Sequence, residues 1–80
     1  MNNKNIYDNA FVETFSVDEN KLNEKLEYNS IETWDSIGHM QLMAELEEAF
    51  EIEFEMDDII SFSSYSKGIE ILEKYEVQIK

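Results

Sequence analysis

The sequence predicts an all-α fold: a small four-helix bundle of three main helices and one short helix, with a long first loop. Two observations carry this. Proline is absent and glycine occurs only twice, so the residues that interrupt helices are nearly missing. Apolar residues also recur at spacings of three and four over separate stretches, the period of a helix with one buried face. The 80 residues give one core and therefore a single domain, 1–80.

The elements follow in order. Residues 1–5 are polar and are expected to be loose. From Ile6 to Val17, the residues Ile6, Tyr7, Ala10, Phe11, Val12, Phe15 and Val17 mark an amphipathic helix. Ser16 to Asp35 is polar, with isolated Leu22, Leu26, Tyr28 and Ile31 to pin a long loop to the core. Ser16 and Glu19 have capping-box spacing, which predicts a short helical turn running to Leu26. A loop this long in so small a domain is often functional. The strongest element runs from Asp35 to Phe50. Asp35 is its N-cap, and helix formers run unbroken from Gln41 to Ala49. Phe50 to Met56 then alternates strictly, as do Tyr75, Val77 and Ile79. A two-stranded ribbon of these segments would be marginal alone, so an extended linker is the preferred reading of the first. Asp57 and Asp58 predict the N-cap of a short helix around Ile59 to Phe62. Ser61 to Ser66 is a serine-capped turn. A last helix begins at Ser66 or Lys67, uses Ile69, Ile71, Leu72 and Tyr75, and frays near Val77.

Composition excludes several function classes. Nineteen acids against six lysines, with no arginine, give a net charge of −13. Such a surface repels phosphate backbones and anionic lipid, which argues against nucleic-acid and membrane-surface binding and for basic protein partners. The charge does not imply disorder, because Leu, Ile, Val and Phe make up 22 of the 80 residues, above the floor of roughly 20% for disordered chains. Cysteine is absent, which removes disulfides, thiolate metal sites and a cysteine nucleophile. No apolar run reaches the roughly 18 residues of a membrane span, and no signal-peptide layout opens the chain. A cytoplasmic monomer is the default expectation.

On a helical wheel the central helix has two apolar stripes. Leu42, Met43, Leu46, Ala49 and Phe50 form the one expected in the core. Ile37, Met40 and Ala44 form a second, bordered by Ser36 above and by Glu47, Glu48 and Glu51 below. Either the long loop or the short helix covers this second stripe, or it is a docking face on which methionine offers adaptable contacts. His39, the sole histidine, falls nearer the core arc and is expected to be partly buried. It has no second histidine or cysteine with which to hold zinc. A Ser-His-Asp hydrolase built from Asp35, Ser36 and His39 fails on geometry, since a serine and a histidine three apart on one helix seldom present a base to the nucleophile. Asp57 and Asp58 lack the ligand spacing and glycine of a calcium loop, so no metal site is assigned beyond weak cation binding.

The run Trp34-Asp35-Ser36-Ile37-Gly38-His39-Met40, followed by Leu42 and Glu45-Leu46-Glu47-Glu48-Ala49-Phe50, resembles the acyl and peptidyl carrier proteins. Their hallmark is Asp-Ser-Leu at the start of the second helix; here the triplet is Asp35-Ser36-Ile37. The resemblance extends over nearly the whole chain in helix order, loop length and acidity. It implies that Ser36, preceded by Asp35, takes a 4′-phosphopantetheine arm from coenzyme A through a phosphopantetheinyl transferase using magnesium. The arm's thiol would then carry acyl or aminoacyl groups as thioesters. The chain itself would not be an enzyme.

The partners implied are the transferase, an acyl or aminoacyl ligase, and downstream transferases with basic docking surfaces. Ile37, Met40 and Ala44 would touch them, and Glu45, Glu47 and Glu48, with Glu51 and Glu53 behind, would pair with their lysines and arginines. Gly38 and Gln41 stand where many fatty-acid carriers have acids, which removes charge from that face. With Trp34 and Gly38-His39-Met40, this looks more like specialised stand-alone carriers of glycan, lipid or natural-product pathways than a housekeeping fatty-acid carrier. The rival reading is an acidic helical interaction module without a prosthetic group.

Overall fold

The computed structural model describes residues 2–79. Helix α1 (Asn3–Phe15) leads into a long loop holding a 3-10 turn at Glu19–Lys21. Then come α2 (Ser36–Phe50), the short α3 (Met56–Ser61) and α4 (Tyr65–Lys74). This is the expected bundle of three main helices and one short one. The only β-type pairing among the described residues is an isolated antiparallel bridge, Glu27 to Ser64. The alternating stretch after Phe50 is therefore a linker, entered through Glu51 in the left-handed conformation.

Several boundaries differ from expectation. Asn3 to Asn5 are not loose; they form the first turn of α1, because the Asn2 side chain accepts from Asn5 N–H at 2.8 Å. Met1 lies outside the described residues. Ser16 is not an N-cap. It closes α1 in a left-handed conformation, its N–H bonded to the Val12 carbonyl at 2.9 Å. The turn through Leu26 shrinks to three residues. The short helix starts at Met56, so Asp57 and Asp58 occupy its first turn rather than its cap. Ser64 caps α4, accepting from Lys67 N–H at 2.9 Å, which starts that helix at Tyr65.

The core is largely aromatic. Tyr7, Phe11 and Phe15 are spaced by four, so one face of α1 buries all three. Phe11 meets Tyr7 edge-on at 4.9 Å and Trp34 at 5.6 Å. From α2 the core takes Leu42, Met43 and Leu46, as expected; Phe50 is half-buried, and Ala49 is exposed, a correction. The wheel puts Ala49 at the edge of the arc, and among the described residues that edge is left exposed. The long loop is tied down at both ends of its path. Leu26 is buried, and Thr33 Oγ1 donates to the Phe15 carbonyl at 3.0 Å. Tyr28 N–H donates to the Ser63 carbonyl, and Tyr65 N–H to that of Leu26, both at 2.9 Å. Among the described residues no helix is long and apolar enough to cross a membrane.

Candidate functional site

The site is built on the start of α2. Trp34, fully buried, stacks on Phe15 at 5.1 Å and fixes the chain one residue before the helix cap. Asp35 then caps as the sequence predicts: its Oδ1 accepts from Gly38 N–H at 2.8 Å. Ser36 follows, exposed, in the first turn. Its hydroxyl lies 3.0 Å from the hydroxyl of Tyr28, which reaches over from the long loop.

Gly38 corrects the sequence reading. It does not subtract charge from an outward face, because it is buried. A Cβ there would meet the Thr33 carbonyl oxygen at 2.0 Å and Phe15 Cε1 at 3.2 Å. Only glycine lets the loop carbonyl come this close to α2.

His39 is half-buried, as expected. Trp34 Nε1–H donates to its Nδ1 at 3.0 Å, since an indole N–H can only donate. The ring proton is thereby assigned to Nε2, which lies 2.8 Å from the Ile59 carbonyl. His39 thus bridges the Trp34 anchor to α3 and sets the spacing of α2 and α3.

Between those two helices runs a groove of about 390 Å³ with Ser36 on its rim. Met40, Met56, Ile60 and Phe62 line it, with Tyr28 and His39. The second stripe of α2 is therefore only partly covered by α3. Exposure is 72% for Ile37, 53% for Met40, 70% for Met56 and 73% for Ile60. Met56 and Ile60 were missed from sequence, although adjacent Ile59 and Ile60 on so short a helix cannot share one buried face. Tyr28 was also missed as a site residue. It carries no local signal, because its partner Ser36 is eight residues away across a loop.

The acids expected to dock partners separate. Glu48 is exposed on the same side of α2 as Ile37 and Ala44. Glu45 is exposed beside Glu13, Thr14 and Gln41, on the α1 side. Glu47 is half-buried, and its Oε2 accepts from Phe54 N–H at 2.8 Å, so it fastens the linker after α2. No group of three or more histidine or acidic side chains placed to hold a metal occurs among the described residues.

Residues 34–70 match the family model described as the phosphopantetheine attachment site. The matched stretch spans the Trp34 anchor, α2, α3 and the groove lining apart from Tyr28, and enters α4. This stretch is similar to the phosphopantetheine-binding carriers. Carriers of this family hold 4′-phosphopantetheine covalently and are not themselves enzymes. No curated protein and no solved structure matches the chain. A carrier of this kind interacts with a phosphopantetheinyl transferase and with biosynthetic enzymes.

Proposed function

We propose that Ser36 is the attachment point and that the arm carries acyl or aminoacyl groups as thioesters between partner enzymes. The observation that carries this reading is the placement of Ser36: an exposed hydroxyl on a capped helix start, inside the matched stretch, at the rim of an apolar groove. The residues suit such an arm. The first N–H groups of a helix lack intrahelical partners and favour a phosphoryl oxygen. The chain has no cysteine, so a thioester needs an imported thiol. In the transfer, Ser36 Oγ bonds to the phosphorus that bears the pantetheine of coenzyme A. The pyrophosphate P–O bond breaks, 3′,5′-ADP leaves, and the serine proton passes to a base of the transferase.

Ile37, Met40, Ala44 and Glu48 supply the docking face in this reading, with Met56 and Ile60 added from α3. The acidic rim steers basic partners and raises encounter rates more than affinity, which suits a shuttle. Asp35 acts by holding the turn that presents Ser36. We place the protein in the cytoplasm, in a specialised pathway for glycan, lipid or natural-product assembly.

The test is intact mass. Incubation with coenzyme A, magnesium and a broad-specificity transferase adds one phosphopantetheinyl group, and Ser36→Ala adds none. Modification of any other serine overturns this assignment.

A further inference from the structure

Tyr28 is the only side chain hydrogen-bonded to Ser36 among the described residues, at 3.0 Å between hydroxyl oxygens. It is 37% exposed, yet its position is fixed. Its N–H is held by the Ser63 carbonyl, and its ring stands edge-on to His39 at 5.7 Å and 86°. His39 is itself held by Trp34 and the Ile59 carbonyl. A chain of contacts from the buried core thus ends in one phenol aimed at one serine oxygen.

We propose that Tyr28 is a positioning residue for Ser36, an inference that rests on Ser36 being the attachment point. In this proposal Tyr28 Oη–H donates and Ser36 Oγ accepts, one of the two directions open to a pair of hydroxyls. This leaves the serine O–H free to face the transferase's base. It also holds one rotamer of a side chain that is otherwise free to turn. Once Oγ is esterified it is a poor acceptor, and the same phenol is left to donate to a charged phosphoryl oxygen, a stronger bond than the one it replaces. Tyr28 then restrains the base of the arm at the rim of the groove.

Tyr28→Phe tests this, because it keeps the ring on His39 and removes only the hydroxyl. Modification is followed at varied carrier concentration with the transferase, and the phosphodiester is read by phosphorus NMR in the modified protein. Losing one orienting hydrogen bond should lower kcat roughly 3- to 10-fold, with KM for the carrier and the melting temperature unchanged. The phosphorus resonance should move, and the two proteins should coincide in denaturant. A wild-type kcat or a superimposable folded-state resonance overturns the proposal while leaving Ser36 as the attachment point. A raised KM at constant kcat makes Tyr28 a docking residue and overturns it as well. If wild type takes up no group, or Ser36→Ala still does, the attachment reading falls and this proposal with it.

Discussion

Asp58 is the one charged side chain the described fold takes out of water, at 5% exposure. Its carboxylate accepts from Lys74 Nζ and from the Tyr75 hydroxyl, each at 2.5 Å. These two hydrogen bonds, Lys74 first, hold its pKa below the usual carboxylate range against the opposing effect of burial. Because the folded-state pKa is the lower one, this contribution is complete above the unfolded value near 4. It is lost as pH falls through the folded value. Asp58→Asn should therefore lower the melting temperature at neutral pH and flatten the loss of stability below about pH 4. Thermal melts of both proteins between acid and neutral pH check this. An unchanged acid limb would show that another carboxylate governs it.

Helix α2 has a buried face and an exposed face, and substitutions on each should act differently. Leu46 is fully buried, so Leu46→Ala should cost about 2–5 kcal/mol and lower modification only by unfolding. Glu48 is exposed, so Glu48→Lys should change stability by less than about 0.5 kcal/mol. Yet it should slow modification at low salt, with the deficit shrinking as salt rises. Denaturant melts and modification rates at two salt concentrations separate the two. Glu47 belongs with neither. Glu47→Ala removes the acceptor of Phe54 N–H, and about 1 kcal/mol of stability should go with it. A charge reversal at Glu47 would thus confuse docking with linker geometry, whereas Glu48 tests docking alone.

Across the whole molecule the charge is unevenly placed. From Asp35 to Asp58 there are nine acids and no lysine. Lysine ion pairs among the described residues join only Lys4 to Asp8 and Lys74 to Asp58. Folding gathers these acids onto α2, the linker and α3, so self-repulsion opposes it. Salt shortens that repulsion to a range of about 8 Å at physiological ionic strength. The melting temperature should rise between low and moderate sodium chloride, and rise further with millimolar magnesium. A melting temperature independent of salt would mean that the acids are spaced beyond mutual reach.

The sequence by itself determined the helical class, the extent of α2, the Asp35 cap and the buried trio Leu42, Met43 and Leu46. Each depends on residues within a turn or two of one another, where spacing alone reports the buried face. It also carried the Asp-Ser-Ile triplet that points to the phosphopantetheine carriers. Tertiary structure alone decided what crosses the chain. Gly38 faces inward because the Thr33 carbonyl arrives from the loop. Asp58 is neutralised by Lys74, 16 residues on, and so joins the core rather than capping a helix. Glu47 turns to the linker, and Ala49 stays in water at the edge of the buried arc. Tyr28, which looked like one more apolar pin for the loop, becomes the partner of Ser36 because the Glu27–Ser64 bridge sets where the loop crosses the bundle. Such pairings leave no periodic trace: they depend on distances between segments, which exist only once the core has closed.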